Sequence, residues 1–96
     1  MQSNSTTPLS ELHVKIIESI AAGERTLKIA GKLYLSRQGV EYHVSKLLQQ
    51  LRVPNRPALV AKAYSMGILL PGTWPPEAPR KDGRIPPPRL ERFTVP

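Results

Sequence analysis

The sequence predicts an all-α fold of four short helices, followed by a proline-rich tail. Between residues 9 and 70, apolar side chains recur at three- and four-residue spacing, which is typical of one buried helix face. Eight of the eleven prolines lie in residues 71–96, where they disfavour a helix and favour extended chain. We therefore expect a flexible N-terminal arm at 1–8, a helical domain at 9–70 and a disordered, proline-rich basic tail at 71–96.

The first two helices are recognised by the residues at their ends. Ser10 is a good N-cap for the first helix, and Gly23 ends it. The second helix is predicted over about 26–34. Its start carries only a weak signal, with Thr26 as the candidate cap and Lys28 placed unfavourably near the positive end of the helix dipole.

The third helix has the clearest pattern in the chain, over residues 36–51. Ser36 is its predicted N-cap. Its inward stripe consists of Val40, Val44, Leu47 and Leu51. The opposite face is polar, which favours a helix that packs on one side and is open to a partner on the other.

Asn55 is the predicted cap of the fourth helix, and Pro57 fits in its first turn. The helix is expected to end at Gly67. It carries one apolar stripe of Leu59, Ala63 and Met66, and a second stripe of Val60 and Tyr64.

Charge and composition narrow the classes of function. Fourteen Lys and Arg oppose seven Asp and Glu, so the net charge of +7 favours a polyanion partner such as nucleic acid. The absence of cysteine excludes disulfides and cysteine-ligated metal sites. No apolar run reaches the roughly 20 residues that cross a bilayer, and the N-terminus does not resemble a signal peptide. We expect a cytoplasmic, nucleoid-associated protein with no membrane partner.

The second and third helices, joined by a tight link at residues 34–36, form a candidate helix-turn-helix. Residues 40–56 read V-E-Y-H-V-S-K-L-L-Q-Q-L-R-V-P-N-R. This run closely resembles the recognition helix of the LuxR (GerE, FixJ) family of bacterial transcription regulators, typically T-V-E-Y-H-V-S-R-L-L-R-K-L-G-V followed by x-N-R. The resemblance extends over about residues 9–68.

The resemblance implies a four-helix domain that binds double-stranded DNA sequence-specifically, with the recognition helix in the major groove. The family's base-facing positions correspond here to Gln38, Glu41, Tyr42 and Ser45. Its phosphate-contacting positions correspond to Thr26, Ser36, Arg37, Lys46 and Arg56, and to Gly39. For Tyr42, a ring packed on the domain surface is an equally reasonable interpretation.

Several residues depart from the family pattern. Tyr34 stands where the family usually has glycine, so a positive φ there would strain the chain. Gly39 replaces a threonine, and Arg52 replaces the glycine that usually ends the recognition helix. Arg25 and Lys28 replace capping residues, and we hypothesise that they add phosphate contacts in exchange for cap stability.

No catalytic residue, cofactor or metal is expected. His43 lies between the apolar stripe and the polar face of the third helix, where a packed histidine is the usual finding. No second histidine or carboxylate is predicted to orient it, and His13 likewise has no expected partner. The chain is therefore not expected to be an enzyme.

The sequence also suggests partners beyond DNA. The family's fourth helix often pairs subunits, which here points to Val60, Ala61 and Tyr64 as a homodimer surface used on DNA. Trp74 could anchor a protein partner, or a disordered tail could leave Trp74 folded back on the domain. The basic residues of the tail could instead follow DNA phosphates. These are Arg80, Lys81, Arg84, Arg89 and Arg92.

An alternative function keeps the helix-turn-helix shape but binds a regulator or an RNA polymerase component as an adapter. Glu41 among the base-facing positions and Gly39 in place of threonine favour it, whereas the nine basic against four acidic residues in 9–70 argue against it. The 96 residues leave no room for a receiver or ligand-binding domain, so the chain is expected to be either a free-standing DNA-binding domain or an excised fragment. Met1 and the long tail favour the free-standing domain.

Overall fold

The computed structural model describes residues 9–80 and confirms the all-α prediction within that range. The helices are α1 (Glu11–Ala21), α2 (Thr26–Leu33), α3 (Arg37–Leu51) and α4 (Arg56–Ser65). The predicted N-terminal arm and the tail beyond residue 80 lie outside the described residues. None of the described helices is long and apolar enough to span a membrane.

Three of the four helices begin at the predicted caps. Ser10, Ser36 and Asn55 are each extended, and each side chain accepts a hydrogen bond from the backbone N–H three residues later. The expected cap of α2 was wrong. Arg25 occupies that position without a side-chain cap, and Thr26 is the first helical residue. A guanidinium has no acceptor, so it cannot satisfy the first N–H groups.

The core is built from one face of each helix and from the chain that follows α4. Its fully buried large side chains are Ile16, Ile17, Ile29, Val40, Leu47, Leu59 and Leu69. The predicted stripe of α3 is confirmed, because all four of its residues are buried. The third helix therefore presents its polar side outward.

Met66 does not complete the inward stripe of α4 as expected, since it is 53% exposed. The helix ends at Ser65, and Gly67 takes a φ of 77°. The backbone N–H of Leu69 then donates to the carbonyl of Ala63 at 3.1 Å. This turn buries Leu69 in the core, where a longer helix would have placed another side chain.

Packed structure continues past the predicted limit at residue 70. Leu70 and Glu77 form an isolated antiparallel bridge, with Leu70 N donating to Glu77 O at 3.0 Å. The backbone N–H of Ala78 donates to the Glu18 carboxylate of α1 at 2.8 Å, and Pro76 is buried. Residues 70–77 thus form a turned loop that the bridge closes, and Ala78 at its end is held against α1.

Candidate nucleic-acid interface

The link between α2 and α3 has the geometry of a helix-turn-helix. Tyr34 is left-handed, with φ 58° and ψ 41°, and closes α2. Leu35 turns back, donates its N–H to Ala30 O at 2.9 Å, and packs against the core. Ser36 then caps α3. A three-residue turn therefore fixes the direction of α3 relative to α2.

The predicted base-facing residues lie together on the outward face of α3. They sit at i, i+3, i+4 and i+7, so a 3.6-residue period places them on one side of the helix. All are exposed: Gln38, Glu41, Tyr42 and Ser45. The opposite side of the same turns holds Val40 and Val44 in the core. This face, defined by those four exposed residues, is called the reading face below.

The Tyr42 ring is supported but not covered. It is 59% exposed, and the Lys46 ammonium lies 5.6 Å from its centroid, within range of a cation–π contact. The ring also meets the edge of His43 at 5.4 Å, with an interplanar angle of 69°. The ring thus contacts its neighbours on the domain surface and is still open to solvent, and a base contact by Tyr42 stays a prediction.

Basic and hydroxyl groups flank the reading face along α3. Arg37 and Lys46 are exposed, and neither forms an ion pair with a described residue. The Ser36 hydroxyl accepts from Gly39 N at 2.9 Å, and a hydroxyl that accepts one hydrogen bond can still donate its own proton. Ser36 is therefore able to cap the helix and contact an anion at once.

Gly39 lies directly beneath this cap. A Cβ added at Gly39 would come within 3.1 Å of Ser36 Oγ, which is tighter than ordinary contact. The glycine that replaces the family's threonine thus leaves space for the capping hydroxyl. The sequence shows that Gly39 replaces the family's threonine. The short distance to Ser36 Oγ, which only the structure gives, shows that the capping hydroxyl occupies this space.

The Arg56 side chain at the start of α4 reaches the first residue of α2. Arg56 donates from Nη2 to the Thr26 hydroxyl at 3.2 Å, which brings together two predicted phosphate-contacting residues. Arg25 and Lys28 are exposed on the same part of α2. The four residues form a basic flank: Arg25, Thr26, Lys28 and Arg56.

Glu24 reduces the charge of this flank only slightly. Its carboxylate accepts from Lys32 at 2.9 Å and lies 3.9 Å from the Lys28 ammonium. The hydrogen bond from Lys32 lowers the pKa of Glu24 below its ordinary value of 4.5, so the group is ionised at neutral pH. Lys28 remains 67% exposed, and its longer contact leaves it able to turn toward a second anion.

His13 and His43 were expected to have no partner, and this expectation was wrong. His13 Nε2 and His43 Nδ1 are 3.0 Å apart and share a hydrogen bond between α1 and α3. The rings meet edge to face, 5.0 Å between centroids. Periodicity places His13 on the same face as Ile16 and Ile17, but it does not show which side chain of α3 meets it.

The candidate dimer surface on α4 is only partly open. Ala61 is exposed, whereas Val60 and Tyr64 are half-buried and Tyr64 packs against the core. In the C-terminal segment, Trp74 is 51% exposed. Within residues 9–80, no group of three or more metal-ligating side chains comes together.

Comparison with known proteins gives one positive result. The family model described as "Bacterial regulatory proteins, luxR family" matches residues 7–63, which include α1, the helix-turn-helix and most of α4. No curated protein matches the chain. The matched region contains the whole reading face and the basic flank.

Proposed function

Because the chain belongs to the LuxR family of bacterial regulatory proteins, and so carries the helix-turn-helix domain of a DNA-binding transcription regulator, we propose that it reads a specific double-stranded DNA sequence with α3 in the major groove. The observation that carries the proposal is the reading face: four polar side chains exposed together, opposite a buried stripe. A helix of this width fits the major groove of B-DNA.

Three of the four side chains of the reading face match the chemistry of a base edge. The Gln38 amide can pair with N6 and N7 of adenine, and the Glu41 carboxylate can accept from N4 of cytosine. The Tyr42 ring can lie against a thymine methyl. Ser45 is small enough to let the helix approach closely. Selectivity is assigned to these residues.

Affinity is assigned to the groups around them. Arg37 and Lys46 on α3, together with the basic flank, would contact phosphates on either side of the groove. Glu41 repels phosphates and makes no ion pair with a described residue. It would therefore lower the affinity for unmatched sequences more than the affinity for a site in which a cytosine N4 donates a hydrogen bond to the carboxylate.

Two further proposals follow from the DNA partner. Pairing through Val60, Ala61 and Tyr64 on two DNA-bound copies would demand a palindromic site, and the small exposed area favours a monomer in the absence of DNA. Binding to chromosomal DNA would place the protein in the cytoplasm, on the nucleoid.

The test is a gel-shift titration with a duplex selected from a random pool, and with an unselected duplex, across a salt series. We expect log affinity to fall linearly with log salt, and the selected duplex to bind on the order of 10³-fold more tightly. The adapter function, which an unpaired Glu41 would suit, predicts no binding even at low salt. That outcome would overturn the DNA proposal.

A further inference from the structure

A chain of four side chains runs from α1 to the reading face. His13 hydrogen-bonds to His43 at 3.0 Å, and the edge of His43 meets the Tyr42 ring. The Lys46 ammonium lies over the same ring. Of the four, His13 alone belongs to α1, outside the helix-turn-helix.

The contact between the His43 and Tyr42 rings restricts the direction in which the Tyr42 ring can point. A tyrosine on an exposed helix face can change its χ1 rotamer unless a neighbour blocks the alternatives. His43 stands beside the ring, and the hydrogen bond from α1 fixes the plane of the imidazole. The position of Tyr42 therefore depends on a residue that lies on another helix.

We propose that His13 is a positioning residue for the reading face, holding His43 against Tyr42 and so setting the preference for the base that Tyr42 meets. The proposal rests on the proposed function, since it concerns how DNA is read. His13 itself makes no contact with DNA in this account. Its effect passes through His43.

The test compares His13→Ala with His13→Gln. Extended glutamine places its amide nitrogen where Nε2 of histidine lies, so it can restore a hydrogen bond to His43, whereas alanine cannot. Val14→Ala is the matched control, because it trims a half-buried residue of the same helix without touching His43. Thermal unfolding of each variant confirms that it is folded before DNA is added.

In parallel selections, His13→Ala should weaken discrimination at one base pair by about three- to tenfold, leaving binding to unselected duplex unchanged. His13→Gln should restore the preference, and Val14→Ala should retain it. An unchanged preference in His13→Ala, or an equal loss in Val14→Ala, would overturn the proposal.

A second measurement separates this proposal from the proposed function. In the DNA-free protein, NMR signals of the Tyr42 ring should move in His13→Ala and return toward wild type in His13→Gln. Ring signals that do not respond to His13→Ala contradict the positioning contact, whatever the protein binds. If the ring responds but the wild-type protein selects no sequence, the proposed function has failed and the positioning role for DNA falls with it.

Discussion

At the scale of single residues, two side-chain-bearing residues hold backbone conformations that usually belong to glycine. Tyr34 and Arg52 have φ values of 58° and 59° and close α2 and α3. For an L-residue this region costs about 1–2 kcal/mol. Each residue directly follows the last residue of a helix. The turns that end α2 and α3 therefore contain local backbone strain.

Replacing Tyr34 with glycine should stabilise the protein. The ring is 96% exposed, so its removal loses little packing, and relief of the strain exceeds the greater flexibility of glycine in the unfolded chain. We expect a gain of about 1 kcal/mol, or about 4–8 °C in Tm, measured by thermal unfolding. Tyr34→Ala is the control. If alanine stabilises equally, the strain at this residue is not the cause.

His13 should make stability depend on pH. Burial, together with the electrostatic effects of His43 and Lys46 on α3, lowers the pKa of His13 below its ordinary value of 6.5. The unfolded chain therefore binds a proton at a higher pH than the folded protein. The free energy of unfolding should be largest above pH 6.5 and should fall as pH decreases through 6.5 toward the lowered pKa.

Denaturant titrations at a series of pH values measure this effect. In His13→Gln the amide does not titrate, so this part of the pH dependence should disappear while the fall caused by carboxylates at lower pH remains. The same pH profile in wild type and His13→Gln would contradict the assignment.

At the scale of elements, the sequence predicted what local chemistry determines. Ser10, Ser36 and Asn55 are caps because each has a short side-chain oxygen that accepts a hydrogen bond from a free backbone N–H in the first turn of its helix. The beginning of α2 was missed by one residue, since Arg25 carries no such signal. Contacts between helices, such as that of His13 with His43, depend on crossing geometry, which periodicity alone does not specify.

The uncapped start of α2 allows stability and DNA binding to be separated. Arg25→Asp places an acceptor at an N-cap position that is already extended, with φ −78° and ψ 158°. It should raise stability by about 1 kcal/mol and, by reversing a charge of the basic flank, weaken DNA binding and flatten its salt dependence. Unfolding and gel-shift titrations measure the two effects.

Arg25→Ser is the matched control for this substitution. It caps the helix without adding a negative charge, so it should stabilise similarly and weaken DNA binding less. DNA binding by Arg25→Asp that equals wild type at every salt concentration would remove Arg25 from the interface.

At the scale of the whole molecule, the described structure joins a family domain to a C-terminal segment that turns back on itself and packs against α1. The helical core and the reading face followed from periodicity and resemblance. The packing of residues 70–80 against α1 did not, because a proline-rich composition disfavours a helix but specifies neither how the chain turns nor which surface it covers. The contact between Ala78 N and Glu18, 60 positions apart, has no local signal.

The substitution Glu18→Ala should measure how much the packing of residues 70–80 contributes to the free energy of unfolding. It leaves the partly buried N–H of Ala78 without its acceptor, which should lower the free energy of unfolding by about 1–3 kcal/mol. Glu18→Gln, which keeps an acceptor oxygen, should lose less. In a chain that lacks residues 71–96 the alanine substitution should cost little. An equal cost in the full and shortened chains would show that Glu18 acts within the helical domain alone.

The central claim is that the reading face of α3 selects the bases. Its most direct test is a parallel selection of duplexes with wild-type protein, Gln38→Ala and Gln50→Ala, the last an exposed glutamine near the end of the same helix. The account predicts that Gln38→Ala loses about 1–3 kcal/mol of discrimination at a single base pair, and that Gln50→Ala selects the wild-type sequence. A Gln38→Ala variant that selects the same sequence as wild type, with the same preference at every position, would contradict it.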